Sequence, residues 1–197
     1  MKKHLFCAFL GAFYLLHLPS FGQTPKIPQQ LDALVTAYAK AGQFNGTVLV
    51  AYHGQVIFTK GYGLANREWN QPNAADTKFR IGSLTKQFTA MLVMQLVEKG
   101  RLRLDGHVSD YLPDYPKSNG DKITLHHLLS HTAGIPNFAA SAAREAASRL
   151  PTTPQAAVRS FSALPLEFEP GSTYRYSNAG YILLGAIIEQ VTNKLYA

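Results

Sequence analysis

The sequence predicts an α+β fold in which one antiparallel hairpin precedes a largely helical region. Two short segments rich in β-branched residues flank His53-Gly54, a two-residue turn with glycine in second place. Apolar residues recur at helical spacing in residues 27–41, 83–99 and 181–191. A chain of 197 residues with 46% apolar composition has enough apolar surface to bury a core.

The first 22 residues are expected to form a signal peptide, which predicts a periplasmic or secreted protein. Lys2 and Lys3 precede an apolar stretch at residues 5–18, which is short for a membrane span. Small residues follow, and cleavage is expected after Gly22. The alternative is a retained membrane anchor. After cleavage, no stable membrane anchor is expected.

Composition argues against nucleic-acid binding and against disulfides or thiolate metal sites. Removal of the signal segment lowers the formal charge from +7 to +5, because it takes away two lysines and no acidic residue. The remaining basic residues are scattered, which argues against nucleic-acid binding. Cys7, the single cysteine, lies in the signal segment. The mature chain therefore has neither a disulfide nor a thiolate metal site. Its oligomeric state stays open.

The N-terminal elements follow from local patterns. Residues 27–41 form an amphipathic helix that Gly42 closes. Residues 46–52 and 55–60 form the two strands of the hairpin. Residues 61–79 are polar, with several glycine, asparagine and proline residues, and are expected to be mostly loop.

The middle and C-terminal elements are predicted to be helical. Residues 83–99 form a helix that is apolar nearly all round, so it is expected to be central and buried. Residues 101–117 are irregular. The further helices are predicted at residues 124–130 with Thr124 as N-cap, at 139–150, at 154–164, and from near Ala179.

Ser83 and Lys86 lie at the start of the apolar helix. Side chains three residues apart share one face of a helix, so a hydroxyl and an amine can act there as nucleophile and base. The N–H groups and the positive dipole of a helix start can stabilise an alkoxide or an oxyanion. Burial beside that positive end favours the neutral amine, which can take the serine proton. The alternative is an N-capping serine with a solvated lysine.

Tyr176 and Asn178 precede the last helix. A tyrosine near a cationic lysine loses its proton more easily and can serve as a base. The asparagine side chain offers both a donor and an acceptor to an amide-like substrate. The alternative is a loop tyrosine that packs on the surface.

A histidine cluster permits a metal hypothesis. His127 and His131 are four residues apart, and His126 is adjacent, but the sequence shows no third ligand at a helpful spacing. The favoured interpretation is that His131-Thr132-Ala133-Gly134 shapes a turn at a helix end. No metal or organic cofactor is expected.

Three motifs occur in order along the chain: FRIGSLTK at residues 79–86, LLSHTAGIP at 128–136 and YRYSNAGY at 174–181. In their order and spacing, the chain resembles the serine β-lactamase and penicillin-binding-protein superfamily. The class C-like branch, with D-alanyl-D-alanine carboxypeptidases and esterases, is most similar. The resemblance runs from about Gly42 to the end of the sequence.

The resemblance implies a β-lactamase/transpeptidase-like fold, in which an antiparallel sheet packs with a helical domain. It implies that Ser83 is the acyl-accepting nucleophile, with Lys86 as its hydrogen-bonded partner and Tyr176 as the general base. Asn178 would contact the substrate carbonyl, and the Ser83 backbone N–H would form half of the oxyanion hole. The implied activity is a serine hydrolase that forms an acyl-enzyme. Its substrates would be amides or esters of the D-alanyl-peptide, β-lactam or small-ester kind.

The sequence departs from this family in one respect. The family carries a further motif, Lys or His followed one residue later by Gly, on a later strand that supplies the second oxyanion N–H. No such strand is predicted after Tyr176, and only the N-terminal hairpin of the sheet is predicted. Residues 23–197 are therefore expected to be the N-terminal portion of a β-lactamase-related domain. The alternatives are an inactive short form or fragment, and a non-catalytic module that binds peptidoglycan or β-lactams.

Overall fold

The computed structural model describes residues 27–137 and 152–196. They fall into two compact units that divide after Arg80. The first unit contains one helix and two small antiparallel sheets, and the second is helical around an apolar core. This composition confirms the predicted α+β class. The predicted signal peptide at 1–22 and the predicted helix at 139–150 lie outside the described residues.

The described part of the first unit contains a helix followed by strands, and the described elements of the second unit are helices. The elements of the first unit are α1 (Ile27–Lys40), β1 (Gly46–Tyr52), β2 (Gln55–Tyr62), β3 (Leu64–Asn66) and β4 (Gln71–Pro72). The second unit begins with a 3₁₀ turn at Gly82–Leu84. Its described α-helices are α2 (Thr85–Glu98), α3 (Val108–Tyr111), α4 (Lys117–Gly120), α5 (Leu125–Leu129), α6 (Pro154–Arg159) and α7 (Asn178–Thr192).

The predicted hairpin is confirmed. Strands β1 and β2 pair antiparallel, with Gly46 opposite Tyr62 at the open end. At the turn, His53 has φ +48° and Gly54 has φ +76°. Two successive left-handed residues suit the right-handed twist of the flanking strands. Strand β2 continues two residues past Lys60, where the sequence predicted its end.

Helix α1 is held on strand β2 by one carboxylate. The Lys60 ammonium donates to both carboxylate oxygens of Asp32, at 2.7 and 2.9 Å, and the Tyr62 hydroxyl donates to one of them at 2.8 Å. The hydrogen bonds from Lys60 and then from Tyr62 lower the pKa of Asp32. The helix ends at Lys40, within one residue of the predicted end.

The segment that follows the hairpin contains strands that the sequence did not predict. Strands β3 and β4 pair antiparallel and form a second two-stranded sheet, separate from that of β1 and β2. The expectation that no strand follows the hairpin was therefore wrong. Strands of three and two residues are too short to show an alternating pattern, which explains the omission.

Helix α7 is the central helix of the second unit. Eight of its fifteen residues are buried, and the core around it contains residues from α2, α3, α5 and α6. The largest fully buried side chains among the described residues of this unit are Phe161, Leu102, Ile123, Leu125, Leu128, Leu183, Leu184, Ile187, Val93, Val108 and Thr89. The helix begins at Asn178, one residue before the predicted start, and Asn193 closes it with φ +55°.

The prediction that the apolar helix near residue 90 is central and buried was wrong. Among the described residues of α2, the buried ones are Thr89, Val93 and Leu96. Phe88 is 59% exposed and Met91 is 60% exposed. An all-round apolar sequence permits burial on every side, but burial itself depends on what packs against each face, and α2 packs against the core on one face.

The other helices of the second unit differ from prediction mainly in length. The region predicted to be irregular, 101–117, contains the single-turn helix α3, and a second single-turn helix, α4, begins at its last residue. Helix α5 has the predicted cap, because the Thr124 hydroxyl accepts the N–H of His127. Helix α6 ends at Arg159, five residues before the predicted end. Among the described helices, none has the length and apolar character that crossing a membrane requires.

Candidate active site

Ser83 lies in the 3₁₀ turn that leads into α2. The preceding Gly82 has φ +54°, a left-handed conformation that residues with side chains rarely adopt. The Ser83 Oγ atom lies 2.7 Å from the Oη atom of Tyr176. The N-cap position of α2 is occupied by Leu84, with no side-chain capping bond. The serine hydroxyl therefore does not cap the helix but faces the tyrosine.

Lys86 connects the two motifs. It lies in the first turn of α2, where its half-buried Nζ donates to Oδ1 of Asn178 at 2.7 Å. The same Nζ donates to Oγ of Ser83 at 3.4 Å. Lys86 thus binds Ser83 near the start of the second unit and Asn178 near its end. The alternative of a solvated lysine does not describe this arrangement.

Tyr176 contacts Lys86 with its ring and Asn178 with its hydroxyl. The Lys86 ammonium lies 4.8 Å from the centroid of the Tyr176 ring, and the tyrosine hydroxyl donates to Asn178 Oδ1 at 3.2 Å. The hydrogen bond with Lys86, followed by that with Ser83, lowers the pKa of Tyr176. The phenol is therefore easier to deprotonate than an ordinary tyrosine.

The donor inventory sets the direction of the serine proton. A lysine ammonium is only a donor, so Ser83 Oγ and Asn178 Oδ1 both accept from Lys86. Because the Tyr176 hydroxyl donates its one proton to Asn178 Oδ1, the bond between Ser83 and Tyr176 has the Ser83 hydroxyl as its donor. The arrangement can pass a proton from a serine hydroxyl to a tyrosine oxygen, which activates the serine as a nucleophile.

His131 is a residue near this network to which the sequence assigned no part in the chemistry. It has φ +60°, and its ring packs against those of Tyr176 and Tyr181, with centroids 4.6 and 5.1 Å away. Burial, followed by the charge of Lys86, lowers the pKa of this imidazole. Histidine spacing contains no signal for such a stack, since the two tyrosines lie more than forty residues further along the chain.

The predicted turn after α5 is present, and His127 on that helix binds a backbone group. Gly134 has φ +72°, and a Cβ atom there would lie 2.3 Å from the carbonyl oxygen of Phe168. Nδ1 of His127 accepts the N–H of Thr124 at 3.2 Å. Across residues 27–137 and 152–196, no group of three His, Cys, Asp or Glu side chains is placed to hold a metal ion.

Comparison with known proteins places this chain in a family. Residues 31–197 match the family model described as Beta-lactamase. The chain is 34% identical over 179 residues to Esterase EstB of Burkholderia gladioli, covering 84% of this chain and 45% of the esterase. It is 33% identical over 171 residues to Penicillin-binding protein 4* of Bacillus subtilis (strain 168), covering 86% and 37% of the two chains.

A solved structure gives the same result for the fold. The crystal structure of a penicillin-binding protein from Bacillus halodurans matches with a TM-score of 0.70 and 34% identity, covering 82% of this chain and 49% of that one. The chain spans less than half the length of each of these three proteins. It belongs to the beta-lactamase family, within the superfamily of serine β-lactamases, penicillin-binding proteins and related esterases.

Proposed function

We propose that this protein is a serine hydrolase in which Ser83 forms an acyl-enzyme and Tyr176 is its general base. The observation that carries the proposal is the 2.7 Å contact between Ser83 Oγ and Tyr176 Oη, with Lys86 as a donor to the same serine oxygen. A nucleophile and a base within hydrogen-bond reach, with a third group that orients them, is the arrangement that covalent catalysis requires. Membership of the family supports the same reading.

Acylation begins with the phenolate form of Tyr176. Its Oη takes the hydroxyl proton of Ser83 while Oγ forms a bond to the substrate carbonyl carbon, and the carbonyl π electrons move to its oxygen. The Ser83 backbone N–H donates to that oxyanion. The Lys86 ammonium makes the phenolate accessible, first through its hydrogen bond and then through its positive charge, in keeping with the lowered pKa of Tyr176.

The tetrahedral intermediate then collapses. The carbonyl re-forms, the bond to the leaving nitrogen or oxygen breaks, and the leaving group takes the proton from Tyr176. Water then gives a proton to the Tyr176 phenolate while its oxygen bonds to the acyl carbon. The bond from that carbon to Ser83 Oγ breaks, Oγ takes the proton from Tyr176, and the carboxylic acid leaves. Among the described residues none accepts a hydrogen bond from Nδ2 of Asn178, so this amide is available to a substrate carbonyl while its Oδ1 holds Lys86.

The substrate class follows from the reaction and from the relatives. An acyl-enzyme needs a carbonyl with a leaving group, which amides and esters both supply. One relative is named as an esterase and two as penicillin-binding proteins. We include β-lactams, D-alanyl peptides and small esters as candidate substrates. We propose that the protein that carries this site is itself secreted or periplasmic.

Covalent labelling tests the proposal. The protein is incubated with an excess of a fluorophosphonate, which requires only an activated nucleophile, and the modified residue is located by peptide mass spectrometry. We expect one adduct, on Ser83, that Ser83→Ala abolishes. Ser160→Ala is the matched control, because Ser160 is exposed and its hydroxyl donates only to a helix-end carbonyl. A folded protein with no adduct, or with one that persists in Ser83→Ala, would contradict the proposal.

A second set of probes separates catalysis from binding alone. A fluorescent penicillin and a chromogenic acetate ester are compared, each with wild type and Ser83→Ala. Turnover of the ester with no penicillin adduct favours an esterase, and a stable penicillin adduct favours the penicillin-binding branch. Reversible penicillin binding that is equal in wild type and Ser83→Ala would instead support the non-catalytic module.

A further inference from the structure

The ring of His131 joins Tyr176 to an anchored tyrosine. It is tilted by 38° from the ring of Tyr176 and by 36° from that of Tyr181, with its centroid 4.6 and 5.1 Å from theirs. The Tyr181 hydroxyl donates to the backbone carbonyl of Leu129 at 3.1 Å. Tyr181 itself lies on the central helix α7. The stack therefore runs from the core of the unit to the tyrosine that faces Ser83.

The backbone on both sides of Tyr176 is also bound to His131. The N–H of Arg175 donates to the carbonyl oxygen of His131 at 2.9 Å. The N–H of Ser177 donates to its Nδ1 at 3.3 Å. An Nδ1 atom that accepts a bond requires the neutral imidazole with its proton on Nε2. One histidine thus holds the residue before Tyr176, its ring, and the residue after it.

The conformation of His131 is unfavourable in isolation. A residue with a side chain at φ +60° costs about 1 kcal/mol or more relative to the right-handed region. Its own N–H lies 3.4 Å from the carbonyl of Leu128, a long bond that does little to offset this cost. Backbone strain of this kind concentrates at functional sites, where the surrounding contacts select it.

The charge state suits the neighbouring lysine. A protonated imidazole would lose the bond from Ser177 and would place a second positive charge near Lys86. Burial, followed by the charge of Lys86, lowers the pKa of this imidazole and so opposes its protonation. The ring therefore contacts Tyr176 as a neutral partner, and Lys86 remains the cation that acts on the phenol.

We propose that His131 is a positioning residue that holds Tyr176 with its Oη at hydrogen-bond distance from Ser83. It touches neither the serine oxygen nor a reacting atom, and acts through the tyrosine ring and the backbone on either side. The inference rests on the proposed function, in which Tyr176 accepts the serine proton.

Two substitutions separate the ring contact with Tyr176 from the hydrogen bond that Nδ1 of His131 accepts. His131→Asn keeps a side-chain acceptor, because Asn Oδ1 and His Nδ1 are the same number of bonds from Cβ. Asparagine also tolerates the left-handed backbone. The substitution removes the imidazole ring. His131→Phe keeps a ring and removes the acceptor. His126→Asn, an exposed histidine on α5, is the matched control. Circular dichroism checks that each variant is folded.

The main readout is the titration of the Tyr176 phenol. It is isolated from the other nine tyrosines by subtracting the ultraviolet titration of the same protein that also carries Tyr176→Phe. When the phenol moves away from Lys86 and Ser83, it loses the hydrogen bonds that favour its ionisation. We therefore expect its titration to move to higher pH in the His131 variants and to stay in place in His126→Asn. The labelling rate of Ser83 should fall about 100-fold, the effect of a misplacement near 1 Å.

The titration decides the inference separately from the labelling. A shift to higher pH in either folded His131 variant supports it, and if His131→Phe does not fold, His131→Asn decides. An unchanged Tyr176 titration in the folded His131 variants overturns it, whatever the labelling shows. A wild-type protein that is not labelled at Ser83 contradicts the proposed function, while the titration still tests whether His131 positions Tyr176.

Discussion

The hydroxyl oxygen of Ser83 lies 2.7 Å from the phenol oxygen of Tyr176, although the two residues are 93 positions apart in the chain. The serine comes from the turn before α2 and the tyrosine from the loop before α7. These two helices pack against each other in the core, so their N-terminal ends bring the two side chains together. The contact is thus a product of helix packing.

Removal of the phenol oxygen tests the base. We expect Tyr176→Phe to slow fluorophosphonate labelling of Ser83 by about 100- to 10,000-fold, the usual contribution of general acid–base catalysis. The rate is measured by intact-mass spectrometry over time. Tyr52→Phe is the control, because it removes the same oxygen from a tyrosine that is 65% exposed on the hairpin. Equal rates in Tyr176→Phe and wild type would exclude the tyrosine as the base.

The pH dependence of labelling has a defined sign. The base is active when deprotonated, so the rate should rise with pH through the pKa of Tyr176 and level off above it. Because Lys86 and Ser83 lower that pKa, the inflection should lie below the ordinary tyrosine value of about 10. The check is a rate profile measured across the range in which the protein stays folded.

Lys86 should control where that inflection lies. The Lys86→Met variant keeps the length of the side chain and removes the ammonium group, whose hydrogen bond is the largest cause of the lowered pKa of Tyr176. We expect the inflection to move to higher pH and the rate at neutral pH to fall. Lys122→Met serves as the control, since Lys122 forms a surface ion pair with Glu169 at 3.5 Å. A profile in Lys86→Met that overlays wild type would contradict this account of Tyr176.

Two glycines with similar left-handed backbone angles differ in their distance from Ser83. Gly82 and Gly100 have φ +54° and +66°, and a Cβ atom on either would meet nothing within 4 Å. Alanine at either position should lower the free energy of unfolding by about 1 kcal/mol, through left-handed backbone strain alone. Only Gly82→Ala should also slow labelling, because it precedes Ser83. Urea unfolding and labelling kinetics measure the two effects, and equal slowing by both variants would argue against a specific role for the turn.

The core around α7 should dominate the stability of the second unit. Leu184 is 0% exposed, and Leu184→Ala should lower the free energy of unfolding by about 2–5 kcal/mol. Leu195 is 84% exposed, so Leu195→Ala should change it by no more than about 0.5 kcal/mol. Thermal unfolding, monitored by circular dichroism, compares the two variants. Similar losses in the two variants would mean that α7 is not the centre of the core.

Local chemistry explains the elements that were predicted well. The hairpin depends on a turn of His53-Gly54, whose left-handed angles suit strand pairing, and helix α5 depends on the Thr124 cap. Each signal lies within a few residues of the structure that it determines. Strands β3 and β4 were missed because they are held by pairing with each other and have too few residues for a pattern.

The amino-acid sequence by itself determined the α+β class, the hairpin, the main helices and the order of the three motifs, because these depend on neighbours in the chain. It also identified Ser83, Lys86, Tyr176 and Asn178 as candidates, which the structure brings into one hydrogen-bonded group. Only the tertiary structure decided that α7 rather than α2 is central, and that His131 lies against Tyr176. Burial and stacking depend on which distant segments pack together, and no local pattern in the sequence contains that information.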